Sequence, residues 1–248
     1  MGFRRATGPA RALAGDELTS AMVGVGIGLA ASATRNPNIE DVVLATSVEG
    51  LEHDDLRVLA LLVTWLGVHC AGLNADRLTS IVRGHASARV RAFWSAIAQW
   101  RAKDRRFARM AKSYAGRPID LLATGTDFQI KRHGEDPRFS GAPLRVPANV
   151  LRDRKGDVLS RAELARWHRA YRMRVMLGPS YRADMWAELE GDPSLAPAEI
   201  ARRTYGSFAT AWQVKRDWRT LEGAGGRKAP RPGAASSKVV ASNRTTRG

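Results

Sequence analysis

The chain has 248 residues, 40 of them Lys or Arg against 24 Asp or Glu, giving a formal charge of +16. That length allows one or two domains with a substantial core, and 44% apolar with 26% charged residues excludes wholesale disorder. A single cysteine, Cys70, excludes a disulfide framework or cysteine-rich zinc site, and His53, His69, His85, His133 and His168 show no paired metal spacing.

Of the basic residues 33 are Arg and 7 are Lys, a bias that genome composition alone can produce. Composition does not dictate where charge falls, however. Residues 1–57 carry five Arg and eight acids, residues 101–117 seven bases and one acid, and residues 152–174 eight bases and three acids. From Gly223 onward there are six bases and no acid. An acidic front followed by a basic middle and end points to a polyanionic partner, because clustered Arg binds phosphate and releases counterions.

Residues 1–52 read as an acidic helical region. The apolar run 21–33 (AMVGVGIGLAASA) is shorter than the roughly 20 residues a bilayer requires. Asp16 and Glu17 directly before it speak against an export signal, so a buried Gly-rich helix and a cytoplasmic, non-membrane protein are expected. Gly24, Gly26 and Gly28 lack the Lys-Ser/Thr of a nucleotide loop.

Residues 53–149 read as a winged-helix-like module. Leu59, Leu62, Val63 and Leu66 share one helical face, and Asn74 suits the cap of a short helix bearing Leu78, Ile81 and Val82. A long helix is expected from about Ser87 to Tyr114, its outer side lined by cations that include Arg101, Arg105 and Arg109. Short β-prone pieces at 119–122, 128–130 and 144–146 then predict a small hairpin, the wing, with Lys131 and Arg132 near its turn and facing the DNA backbone.

Residues 150–222 read as a basic helix followed by a helix-turn-helix. Ser160 and Glu163 form a capping-box pair opening a helix with Leu164, Trp167, Tyr171 and Val175 inward, and Ser180 caps the next. In PAEIARRTYGSFATAWQVKRDWRTL (197–221), Ala201 supplies the small residue where two helices cross, and Ser207 caps the second. Ala211, Val214, Trp218 and Leu221 form its inner stripe. Thr210, Gln213, Lys215, Arg216 and Arg219 are left to meet base edges and phosphates, with Gln213 and Arg216 suited to bidentate contacts with adenine and guanine. Residues 223–248 are expected to be a disordered basic tail.

This stretch resembles the helix-turn-helix of bacterial winged-helix transcriptional regulators at Ile200, Ala201, Ser207, Thr210, Ala211 and Val214. It departs from that pattern where Tyr205 occupies the turn and Gly206 comes one place later. The overall order also resembles the regulator-antitoxins of AbiE-type abortive-infection systems. The implied fold is mainly α, with tandem winged-helix or helix-turn-helix modules and a β-hairpin wing. The implied function is a repressor of double-stranded DNA, with a cognate toxin as protein partner. A homodimer reading two half-sites fits that class, although no dimer seam is legible.

Two other readings stay open. A general DNA- or RNA-binding protein would use the tail and residues 101–117 without sequence readout. A protein-interaction module would dock a basic partner on Glu40, Asp41, Glu49, Glu52, Asp54 and Asp55.

No catalytic constellation emerges, so no enzyme, metal or cofactor is expected. Asp54-Asp55 suits a helix N-terminus and His133-Gly134-Glu135-Asp136-Pro137 a turn. Cys70 beside His69 reads as a buried thiol, because neighbouring helical side chains diverge. Six of the seven tryptophans fall on apolar stripes. Trp212 alone lies off one, placed to pack on the preceding helix or to stack on a base.

Overall fold

The computed structural model describes residues 8–9 and 11–225, and within them the chain is mainly helical. Five helices make the front half: α1 (Gly15–Gly24), α2 (Ile39–Glu52), α3 (Leu56–His69), α4 (Ala75–Arg83) and α5 (Ala88–Trp100). Then come α6 (Thr126–His133), α7 (Arg161–Trp167), α8 (Arg169–Leu177), α9 (Tyr181–Gly191), α10 (Pro197–Thr204) and α11 (Phe208–Gly225). Polar caps set many of the starts. Asn38, Asp55, Asn74, Ser87, Ser160 and Ser180 each accept a backbone N–H of the first turn, and Ser160 with Glu163 completes the expected capping box.

One apolar core runs from Leu18 in α1 to Tyr171 in α8. Its centre is α3, where Leu59, Leu61, Leu62, Val63, Trp65 and Leu66 are all buried, so that helix is enclosed on every side. The enclosed indoles keep their N–H groups satisfied: Trp65 donates to the Val25 carbonyl and Trp94 to Ser47 Oγ, each at 2.9 Å. The apolar run 21–33 is helical only through Gly24. Beyond it Val25 and Ile27 enter the same core, and Ile27 forms an isolated antiparallel bridge with Val158. Among the described residues no helix is long and apolar enough to cross a membrane.

A second, smaller core is built by α9, α10 and α11 from Met185, Leu189, Leu195, Ile200, Ala211 and Val214. Tyr181, Trp186, Ala201 and Trp218 pack around it, with the rings of Trp186 and Trp218 5.4 Å apart. These helices therefore form a three-helix unit in which a short turn joins α10 to α11.

Three expected elements differ. The wing is not a hairpin: β1 (Ile119–Asp120) and β2 (Leu144–Arg145) are two residues each and pair in parallel. Residues 128–130 lie in α6, which starts after Gly125 in the left-handed region at φ 77°. The long helix from Ser87 stops at Trp100 and continues as single 3₁₀ turns at Arg105–Phe107 and Met110–Lys112. The helix opened by Ser160 breaks at His168, whose extended backbone (φ −111°, ψ 111°) ends α7 and starts α8. That break leaves Trp167 and Val175 exposed, while Leu164 and Tyr171 stay inside.

Candidate nucleic-acid interface

The turn between α10 and α11 is built by three adjacent residues with different tasks. Tyr205 takes the left-handed conformation (φ 54°, ψ 22°) usually reserved for Gly, at a cost of about 1–2 kcal/mol for an L residue. Gly206 follows because of space: a Cβ there would fall 1.9 Å from Met185 Cε. Its N–H donates to the Ala201 carbonyl at 2.9 Å, closing the end of α10. Ser207 then accepts the Thr210 N–H at 3.0 Å, as expected of the cap of α11.

Tyr205 is held in place from the other core. Its hydroxyl donates to Asp41 Oδ2 at 3.0 Å, and the Arg77 guanidinium lies 4.0 Å from its ring centroid. Burial, then the Asp41 carboxylate, pushes the Tyr205 phenol up to about 12, which keeps it a neutral donor. Asp41 in turn accepts from Arg77, and Arg77 also donates to Asn38 Oδ1 at 2.7 Å. Beside this group, Arg174 donates to both oxygens of Glu40 at 2.7 and 2.8 Å and to both oxygens of Asp184 at 2.6 and 2.9 Å. Burial pushes the Glu40 carboxyl up, but Arg174 and Arg77 outweigh it and hold Glu40 below the ordinary glutamate range. Burial dominates at Asp41 and Asp184 and holds both above the aspartate range. The network spans α2, α4, α8, α9 and the turn after α10, and so ties the three-helix unit to the larger core.

On α11 the outer and inner sides divide cleanly. Phe208, Ala209, Trp212, Gln213, Arg216, Arg219 and Thr220 are exposed and share a face, opposite Ala211 and Val214. Gln213, Arg216 and Arg219 therefore stand where the sequence places them. Arg216 has its guanidinium 5.5 Å from the Trp212 ring centroid and 3.6 Å from Asp217, which is itself paired with Arg182 at 2.7 Å. Trp212 is 51% exposed, and Phe208 one turn earlier is 59% exposed. Phe208 went unrecognised in the sequence because it reads as the start of the helix rather than as part of its outer face.

Lys215, Thr210 and Ser207 do not belong to that face. Lys215 is only 7% exposed and its Nζ donates to the Pro193 carbonyl, locking α11 to the loop before α10. Thr210 is half-buried with its hydroxyl 2.7 Å from that of Ser207, so both hydroxyls are occupied in the cap. Leu221, expected on the inner stripe, is exposed because α11 runs past the small core.

The remaining expected contacts lie on other elements. Arg101 stacks 3.9 Å from the Trp100 ring and donates to the Leu66 carbonyl at 2.8 Å, a structural role. Arg105 and Arg109 are exposed, with Arg109 3.9 Å from Asp76. Lys131 and Arg132 are exposed on α6, not at a hairpin turn. The acidic front is largely consumed internally: Glu40 and Asp41 are buried, and Glu49 meets His53 at 2.8 Å. Glu52 accepts from Ser87, Asp54 pairs with Arg89 and Asp55 caps α3. Of the six carboxylates expected to dock a basic partner, Glu40 and Asp41 are thus unavailable, while Glu52 and Asp54 are exposed. The tail from residue 226 lies outside the described residues.

Cys70 is buried, and burial pushes its thiol up to about 11. His69 beside it is committed elsewhere, to the Tyr171 hydroxyl and the Leu159 carbonyl at 2.9 Å each. Asp136 is buried against Arg138 at 2.6 Å. Among the described residues no group of three His, Cys, Asp or Glu side chains is placed to hold a metal ion. Comparison of the chain with family models, with characterised proteins and with solved structures gives no match.

Proposed function

We propose that the protein is a sequence-specific double-stranded DNA-binding regulator whose α9–α11 unit sets α11 into a major groove. The observation that supports this most directly is the division of α11: an apolar side closing a three-helix core, and an outer side offering Gln213, Arg216 and Arg219 in one stripe. Arg216 and Gln213 read base edges, and Arg219 meets phosphate. Trp212 and Phe208 supply apolar contact, Phe208 being suited to a thymine methyl. The tandem winged-helix arrangement has no hairpin to support it among the described residues, so reading is assigned to the C-terminal unit alone. A cytoplasmic repressor that is also an antitoxin, with a toxin and a second copy of the chain as partners, extends this reading on the strength of the sequence resemblance.

Gel retardation on a bound duplex, with unrelated duplex as competitor at matched salt, tests the reading. Arg216→Ala weakens specific binding by about 1–3 kcal/mol and relaxes preference at one base position. Equal loss on every sequence would reassign Arg216 to the DNA backbone. A general nucleic-acid binder is the second reading, favoured by the exposed ring pair Phe208 and Trp212, on which unpaired bases can stack. In that case unrelated duplex and single strands compete equally.

A further inference from the structure

A cleft of about 590 Å³ lies where the C-terminal end of α10 meets the loop before α2 and the start of α8. Arg35, Arg169, Arg202 and Arg203 line it, together with Asn36, Glu188 and Tyr205. Two of the four guanidiniums are neutralised locally. Glu199 accepts from Arg202 at 2.8 and 2.7 Å and from Arg203 at 2.6 Å, and Glu188 lies 3.3 Å from Arg203. Arg35 and Arg169 have no ion pair among the described residues.

Arg169 is the more telling of the two. Its Nε is buried with no hydrogen-bond partner, and its guanidinium presses on Gly191 so closely that a Cβ there would lie 2.5 Å from Cζ. Arg169 as a whole is only partly buried, so the rest of its fork stays open to the cleft, where an anion can accept from it. The two unpaired arginines are also held on segments clamped together. The Arg169 N–H donates to Asn36 Oδ1 at 2.6 Å, and Asn36, next to Arg35, sits in the left-handed region at φ 50°. The cleft thus offers an excess of two positive charges on planar, forked donors, in a volume ordinary for small ligands.

We propose that this cleft binds a small diphosphate anion, with Arg35 and Arg169 as its principal ligands and Arg202 and Arg203 at the rim. Such an anion touches α8, the loop before α2, the end of α10 and Tyr205 of the turn at once, so it braces the helix-turn-helix against the larger core. The site is separate from the outer face of α11, and the proposal holds whether or not α11 reads DNA. Its phosphates are those of a free diphosphate compound; two successive phosphates of a nucleic-acid backbone share the chemistry.

Calorimetric titration of the full chain with inorganic pyrophosphate at low ionic strength tests it. The expected result is one binding site, weakened about tenfold or more by Arg35→Gln and by Arg169→Gln and unchanged by Arg117→Gln, which is exposed and does not line the cleft. Arg35 is exposed, so Arg35→Gln remains a folded test should Arg169→Gln fail to fold. Repeating the titration with saturating duplex separates the sources. Unaltered pyrophosphate binding supports the free compound, whereas displacement by a duplex that Arg35→Gln also weakens places backbone phosphates in the cleft. Absence of binding at millimolar pyrophosphate, or wild-type affinity in both cleft variants, overturns the proposal.

Discussion

Lys215 and Arg216 are adjacent cations with opposite environments, and the difference follows from helical spacing. Lys215 lies four residues after Ala211 and three before Trp218, on the inner stripe; Arg216 is turned about 100° further, into solvent. Spacing alone therefore places Lys215 inside, and only its charge suggests otherwise. The side chain is buried on the same side of α11 as Ala211 and Val214, and its ammonium reaches the Pro193 carbonyl. Lys215→Ala is expected to lower folding stability by about 1–3 kcal/mol through loss of that charged hydrogen bond and its packing, measured by chemical denaturation. The folded variant should bind DNA with unchanged base preference. A wild-type stability together with altered preference would return Lys215 to the DNA face.

At the scale of elements, the two helices α10 and α11 and the turn between them were legible because their signals are local: an N-cap at Ser207, an i, i+3, i+7 apolar stripe and a turn residue within one short stretch. What the sequence could not supply was why Tyr205 is tolerated in a left-handed turn. The compensating contacts come from Asp41 and Arg77, far away in the chain. Tyr205→Phe keeps the ring under Arg77 but removes the donor to Asp41, and should cost roughly 1.5–3 kcal/mol in an equilibrium unfolding experiment. No loss would mean that the hydroxyl contact does not hold the turn. The wing was misread for a related reason. Phe128–Ile130 is too short for its period to distinguish strand from helix, and the left-handed Gly125 that starts α6 reads equally well as a hairpin turn. The long helix after Ser87 failed at Trp100 because Arg101 folds back to the Leu66 carbonyl of α3, a tertiary contact that no local pattern announces.

Across the whole molecule, much of the acidic front is met from within the fold, by Arg77, Arg89 and Arg174. Glu40 and Arg174 are 134 positions apart, and Asp41 and Tyr205 164 apart, so charge counted along the sequence overstated what the acidic front offers to another molecule. The same long-range closure buries two neutral histidines. His69 and His168 each turn Nε2 toward a carbonyl, of Leu159 and Pro37, and offer Nδ1 to a donor, the Tyr171 hydroxyl and the Tyr171 N–H respectively. A proton on Nδ1 would oppose that donor, and burial pushes both rings down to about 4. The unfolded chain therefore binds more protons than the folded one between about pH 6.5 and 4, so stability falls as pH drops through that window and levels below it. The loss is of the order of 3 kcal/mol for each ring, and His168→Gln should remove its share of the slope in denaturation curves taken across that range. An unchanged slope would show that the ring is protonated in the fold. This network holds α11 with its Gln213–Arg216–Arg219 stripe outward, the placement that the proposed reading of DNA requires. Selection of binding sites from a randomised duplex pool by the full chain tests it most directly. The pool should converge on a common site, with Arg216→Ala losing preference at a defined position. A pool that stays random, or an Arg216→Ala protein that selects the same site with undiminished affinity, would contradict the account.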